Sequence, residues 1–230
     1  MQQIQHLIWR HYNMTHGTIL SIQTGQIQDF DVASETTDAW TSAIRKTKVL
    51  DAVHVGWTGV AGDEQADRVN HGGPDKAVLA YASKHYEAWN AEFPDINFEA
   101  GGFGENLTIS DFDESACCIG DNFCIGDCVL QITQPRQPCW KLSGRWQLPK
   151  LAVIVQQNGR TGWYFRVLQE GVIEAGMDIK LVDRPHPDVS VAWANSVMYA
   201  RPRRHTDDRK LAACPALSEA WRASLEQRAR

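Results

Sequence analysis

Nowhere does this 230-residue chain approach the run of about eighteen uninterrupted apolar residues that a membrane-spanning helix needs. Nor does Met1-Gln2-Gln3-Ile4-Gln5-His6 open a basic stretch followed by an apolar one, so a soluble, cytoplasmic protein is expected. Blocks of like charge are also missing. A net charge of −5 spread over mixed signs gives no support for a nucleic-acid polymer or a membrane surface as partner, and leaves open a small charged ligand in a local basic pocket. The CxxC pairs of zinc and iron–sulfur sites are absent, as is the CxxCH of attached haem. Four of the six cysteines crowd together as Cys117, Cys118, Cys124 and Cys128, but no second His or Cys pair matches Cys124-x3-Cys128. That cluster is expected to pack strands, and without an export signal its thiols are expected to be reduced. There is no internal repeat and no low-complexity segment.

What is present is an apolar fraction of 43%, enough for one sizeable core with or without a small appendage. Short β-rich runs bounded by glycine recur: Gly17–Ile22, Lys48–Val55, Lys150–Val155 and Asp178–Val182. Asp121–Ile125 and Cys128–Thr133 flank Gly126-Asp127, a two-residue connection of the kind that closes a hairpin. Two helices interrupt the strands: Ser83 to Phe93, capped by Ser83 with Tyr86, Trp89 and Phe93 as a core-facing stripe, and Thr161 to about Glu170. Strands without regular helical alternation favour a mainly β, curled or closed architecture over 1–184. Pro185 and Pro187 mark a change. From 185 to 230 the pattern predicts three helices: Val189–Tyr199, Thr206 to about Ala213 with Thr206 as cap, and Leu217 onward with Leu217, Trp221 and Leu225 on one face. The basic run Arg201–His205 between the first two reads as a solvated loop.

Four segments could carry chemistry. Gln134-Pro135-Arg136-Gln137-Pro138-Cys139-Trp140-Lys141 sets a cysteine between two cations in a proline-stiffened stretch. Positive charge favours the thiolate, the form that attacks electrophiles and binds soft metals; a packing role for Cys139 stays open. Asn70-His71-Gly72-Gly73-Pro74-Asp75-Lys76 offers adjacent glycines and a lysine suited to an anion, or a plain turn; it lacks the GxxxxGK[ST] of a nucleotide P-loop. Gly101-Gly102-Phe103-Gly104-Glu105-Asn106-Leu107 leads into a strand rather than a helix, which excludes a dinucleotide fingerprint and leaves a turn presenting Glu105 or Asn106, or a bulge. Gly59 to Arg68 is polar and glycine-bounded, with Asp63, Glu64 and Asp67 as carboxylates.

Taken in order, Ser42-Ala43-Ile44-Arg45-Lys46, Gly62-Asp63-Glu64-Gln65-Ala66-Asp67, His71-Gly72-Gly73-Pro74-Asp75-Lys76-Ala77, Phe103-Gly104-Glu105-Asn106-Leu107, Gln134–Cys139 and Thr161-Gly162-Trp163-Tyr164 resemble the MOSC domain family, related to the C-terminal part of molybdenum-cofactor sulfurase. The resemblance covers most of the chain and is to the bacterial branch associated with resistance to 6-hydroxylaminopurine, whose three-helix appendage matches the tail after Pro187. Trp140 departs from the pattern, where a smaller or tyrosine-like residue is expected.

The resemblance implies a closed β-barrel-like fold and a molybdenum cofactor (molybdopterin with Mo), with Cys139 in the place of the cysteine that ligates the metal. It also implies Lys76, Arg136 and Lys141 as groups that hold the cofactor's phosphate or pterin, His71, Gly72 and Asn106 as pocket lining, and Lys46 and Asp63 as pocket residues of unassigned role. The activity implied is reduction of N-hydroxylated small molecules, such as 6-hydroxylaminopurine, to amines. With no Rossmann fingerprint or cluster motif in the chain, electrons are expected from a separate reductase. Two alternatives share the same thiol: a sulfur carrier with a persulfide on Cys139, and a non-enzymatic cofactor-binding protein. A homodimer is neither required nor excluded by the sequence.

Overall fold

The computed structural model describes residues 16–30, 39–67 and 72–229. His71 lies outside the described residues. The strands among them are β1 (His16–Thr24), β2 (Gln28–Phe30), β3 (Trp40–Ser42), β4 (Thr47–Val49), β5 (Val53–Gly56), β6 (Gly59–Val60), β7 (Val78–Ala82), β8 (Leu107–Ile109), β9 (Asn122–Ile125), β10 (Cys128–Pro135), β11 (Trp163–Gln169), β12 (Gly171–Ile173) and β13 (Asp178–Asp183). The helices are α1 (Lys84–Glu92), α2 (Trp140–Trp146), α3 (Leu151–Asn158), α4 (Val191–Tyr199), α5 (His205–Ala212) and α6 (Glu219–Arg228), and Pro74–Lys76 form a 3-10 turn.

Seven strands run side by side in the order β13-β9-β10-β11-β7-β8-β1, and β1 pairs again with β13, so the sheet closes into a barrel. Closure leaves no unpaired edge in the ring. Only β7 and β8 run parallel among the described pairings; β4 extends the sheet beyond β1, while β12-β5-β6 and the β2–β3 hairpin lie outside the ring. The mainly β, closed architecture expected from the sequence is present. Gly126, at φ 55°, makes the tight turn of the β9–β10 hairpin, with Cys128 opposite Ile125. Of the four crowded cysteines, Cys117 and Cys128 pack in the main apolar cluster with Phe123, Leu130 and Phe165, while Cys118 is buried outside it and Cys124 is partly exposed on β9.

Two elements depart from the sequence-based reading. Lys150–Val155 is not a strand: α3 spans Leu151–Asn158, burying Leu151 and Val155 one helical turn apart, and continues through Gln156-Gln157-Asn158 to Gly159 at φ 78°. A short apolar run has the same appearance in either conformation, and here the polar residues that follow carry the helix on. Thr161 to Glu170 is not a helix: β11 spans Trp163–Gln169, bonded to β10 on one side and β7 on the other. Trp163, Phe165 and Val167 alternate into the core, and at Gly162 (φ 69°) a Cβ would stand 2.3 Å from the Ala80 carbonyl oxygen. Pairing on both edges outweighs the helical spacing of the apolar residues. Helix α2, directly after Cys139, has no periodic signature in its seven residues.

The three C-terminal helices form where expected to within two residues, with Ser190 and Ser218 capping α4 and α6 through bonds from Trp193 N and Trp221 N. Thr206 is not a cap, because α5 already begins at His205. Ser83 sits at the start of α1 with helical φ and ψ and makes no side-chain cap bond. Val191, Leu211, Leu217, Trp221 and Leu225 join the same apolar cluster as the barrel strands, so the helices are packed onto the barrel through one continuous core. A second cluster, built on Tyr81, Trp89, Phe98 and Phe103, lies under α1 and α2–α3.

Candidate functional site

Strand β10 ends at Pro135, and Arg136-Gln137-Pro138 deliver Cys139 to the N-terminus of α2 in an extended conformation (φ −108°, ψ 167°). Cys139 is half-buried and lines a cleft. Four segments distant in sequence meet there: Ser42 to Lys46 after β3, Asp63 to Asp67 after β6, Phe103 to Asn106 before β8, and the Cys139 loop. Of the residues singled out in the sequence, the cleft brings together Lys46, Asp63, Lys76, Asn106, Arg136, Cys139 and Lys141. Gly72 is described but is not among the lining residues.

Lys46 and Asp63 form an ion pair whose side chains are 6% and 3% exposed. Asp63 also accepts from Gly25 N (2.7 Å) and from Asn106 Nδ2 (2.8 Å), while Asn106 Oδ1 accepts from Leu79 N (3.1 Å). The pair is thus bonded into β7 and the glycine turn, which is what a buried charge requires. Burial lowers the Lys46 ammonium below its ordinary range, and Asp63 opposes that shift. Burial lowers Lys76 as well. Arg136 is buried; its Nη2 donates to the Phe103 carbonyl (3.2 Å), but its Nη1 has no hydrogen-bond partner among the described residues. An unpartnered buried guanidinium nitrogen beside a cleft is a donor set for an anion. Lys141 donates from Nζ to the Thr41 carbonyl (2.8 Å), tying α2 to β3.

Glu105, one of the two residues the glycine turn was expected to present, faces the other way. It is fully buried, and its oxygens accept from the Tyr86 hydroxyl, Thr108 Oγ1 (2.9 Å), Gly101 N (2.7 Å) and Phe103 N (3.1 Å). It holds the turn that puts Asn106 and the Phe103 carbonyl at the cleft. Arg145 reinforces the same turn from outside, donating to the Gly101 and Ile44 carbonyls at 2.6 Å each. Asp75 is likewise structural: its carboxylate takes a two-nitrogen bond from Arg166 (3.0 and 2.7 Å) and accepts from Glu219 N at the start of α6 (2.9 Å), linking the Lys76 turn to the helices.

Tyr164 and Tyr199 were not singled out in the sequence as site residues. Tyr164, beside Cys139 in the cleft, stands in the quoted Thr161–Tyr164 motif and was legible as a pocket residue had that segment been read as a strand. Burial raises its hydroxyl above the ordinary tyrosine range. Tyr199, at the end of α4, faces a groove that continues the cleft outward past Cys139; nothing local in its sequence marks it.

This barrel and cleft belong to a known class: the MOSC domain pattern matches residues 67–180, and the chain is a member of the MOSC domain family. Residues 189–228 match the YiiM-like three-α-helix domain, which narrows the membership to MOSC proteins with that appendage. The uncharacterized protein YflK of Bacillus subtilis is 39% identical over 208 residues, covering 90% of this chain and 92% of that protein. The crystal structure of YiiM from Geobacillus stearothermophilus superposes with a TM-score of 0.78 at 36% identity, over 93% of this chain and all of the other. A protein of Gibberella moniliformis called a reductase is 38% identical over 189 residues; the match takes in 80% of this chain and only 33% of that protein.

Proposed function

We propose that the cleft holds a molybdenum cofactor and that the protein reduces N-hydroxylated small molecules to amines with electrons from a separate reductase. The observation that carries the reading is the convergence of a soft thiol, Cys139, with Lys46, Lys76, Lys141 and the unpartnered Nη1 of buried Arg136 on one cleft. That set fits an anionic, sulfur-ligated group: Arg136 and the lysines suit a phosphate, and a thiolate is a ligand for a soft metal. Membership of the MOSC family supports the same cofactor. When bound, the cofactor supplies two-electron chemistry at a metal.

The net change is R–NH–OH + 2e⁻ + 2H⁺ → R–NH₂ + H₂O, so the chain must keep protons at hand and water controlled. Lys46 Nζ, lowered by burial and anchored by Asp63, is a proton-bearing atom of the cleft. Phe103 and Tyr164 give the cleft apolar walls. Arg136 would orient the anionic part through Nη1, its other end fixed by the Phe103 carbonyl. The Gibberella reductase contains a region similar to this chain in one third of its length, which supports a reductase as electron donor.

The test uses protein made in a host that supplies the cofactor. Molybdenum and pterin should be recovered in near-equal amounts, and a chemical reductant should drive reduction of N-hydroxylated bases and amidoximes. Cys139→Ser should lose both metal and activity. Cyanide-labile sulfur without molybdenum would sink this reading in favour of a sulfur carrier, and tight cofactor binding without turnover would leave only a binding protein.

A further inference from the structure

Resting on the functional reading above, we infer that Trp140 is a specificity-determining residue: an open ring face beside Cys139 on which a flat, aromatic N-hydroxylated substrate stacks. Trp140 follows the cysteine directly, as the first residue of α2, and is where the chain departs from the family pattern. Cys139, Trp140 and Tyr164 line one groove, which is open to solvent. Trp140 is 59% exposed. The two faces make up most of a flat ring's surface, so exposure on that scale uncovers a face and not an edge alone.

A single exposed apolar side chain is ordinary; what sets Trp140 apart is that its ring is held. Trp40 of β3 meets it at 5.3 Å between centroids and 69° between planes. Gly144, one turn further along α2 and so on the same helix face, comes against the same Trp40 ring: a Cβ there would stand 3.1 Å from Trp40 Cζ2. Trp40 in turn stacks on Phe30 at 3.9 Å and 6°, and Lys141 Nζ ties α2 to the Thr41 carbonyl (2.8 Å). Hairpin and helix thus fix the indole from one side and leave the other to the groove. A ring already fixed loses little freedom when a ligand settles on it. Aromatic rings favour stacked or edge-on aromatic neighbours beyond the apolar area they bury, so the ligand preferred is flat and aromatic, and a saturated ring of the same size lacks that gain. Because the thiol belongs to the neighbouring residue, an N-hydroxyl group joined to the ring directly or through one carbon is brought to the Cys139 end of the groove.

The experiment compares benzamidoxime with cyclohexanecarboxamidoxime, which differ in the flatness of the ring, using cofactor-loaded protein and reduced methyl viologen, so that no protein donor has to dock. Wild type should favour benzamidoxime. Trp140→Leu keeps an apolar side chain but no ring, and should lower the ratio of the two kcat/KM values by about fivefold, the scale of a ring–ring contact beyond its buried area. Trp140→Phe should hold the ratio within about twofold of wild type. A ratio taken on one preparation does not change with the fraction of protein that is folded or loaded. A ratio unchanged in Trp140→Leu, while wild type is active, overturns the inference and leaves the functional reading standing. If wild type reduces neither compound, that reading falls. In that case, or if Trp140→Leu is inactive, calorimetry of the two amidoximes decides the inference alone: a preference for the flat ring in wild type that disappears in Trp140→Leu supports the stacking face, and any other pattern overturns it.

Discussion

Strand β10 carries one cysteine at its first residue and leads to another just past its last, and the two thiols sit in opposite surroundings. Cys128 is fully buried, paired across from Ile125, and packed so tightly that a Cβ on Gly171 would stand 2.7 Å from its backbone nitrogen. Cys139 is half-buried, held by the Pro135–Pro138 stretch, and lines both the cleft and the outer groove. Between them the strand passes from bonding on both edges, to β9 and β11, to a loop whose backbone is tied down at Arg136 N by the Gly162 carbonyl (3.0 Å). The same side chain thus serves packing where the sheet holds it on both sides, and becomes accessible where proline and a single backbone bond replace the sheet. Buried charge is distributed likewise: the Lys46–Asp63 pair lies at the cleft end, while the Cys128 end is apolar.

The largest effect tests whether the cleft end bears structural load as well. Asp63→Ala leaves the buried Lys46 ammonium without its partner and strips the acceptor from Gly25 N and Asn106 Nδ2. A cost of about 3–5 kcal/mol in urea unfolding is expected, because removing one member of a buried pair leaves an uncompensated charge. Removing both charges, as Lys46→Met with Asp63→Leu, should recover most of it. A cost under about 1 kcal/mol for Asp63→Ala would mean that Lys46 simply turns to water, and that the cleft end of β10 bears no structural load.

Next in size is an exchange of the two thiols' roles. Cys128→Ser puts a hydroxyl into an apolar core and should lower stability by about 1–3 kcal/mol while leaving molybdenum content unchanged. Cys139→Ser should change stability by no more than about 0.5 kcal/mol and lose the metal. If denaturant midpoints and metal analysis do not separate the variants in this crossed fashion, the two ends of β10 are not specialised as described.

Much of this contrast was legible in sequence, and the exceptions have physical causes. Gly126-Asp127 identified the hairpin because few dipeptides make a two-residue turn. Cys139 stood out because two prolines and two cations surround it. The segments after it were not legible: α2 is too short to show a period, Leu151–Val155 is an apolar run that looks the same as helix or strand, and Trp163–Gln169 is held as a strand by β7 and β10, which are distant in sequence. Lys46 came only from resemblance, and Asp63 was legible on its own only as one of three carboxylates in a polar loop, since a salt bridge between residues on separate loops has no local signature. Glu105 lay in a recognised motif, yet its direction was fixed by Tyr86 and Thr108 from other elements, which sequence spacing does not reveal. Tyr199 was unreadable for the same reason: it reaches the outer groove only because of where α4 docks.

The smallest expected effect is a pH dependence confined to the core end of the strand. Burial pushes the Cys128 thiol from its ordinary 9.0 up to about 12, with Cys124 adding to the shift. The folded state therefore keeps this proton where the unfolded chain releases it. Below pH 9 both states are protonated and the stabilisation is fully present; between pH 9 and about 12 the unfolded state binds fewer protons, so stability falls as pH rises. At pH 10 the loss from this one group is about 1 kcal/mol. The other buried thiols, Cys117 above all, shift in the same direction and steepen the total. Cys128→Ala removes one titrating group, so its unfolding free energy should fall by about 1 kcal/mol less than wild type's between pH 8 and pH 10. Parallel curves for wild type and Cys128→Ala would show that water reaches the β9–β10 hairpin, and that the thiol at the start of β10 is no more shielded than the one beyond its end.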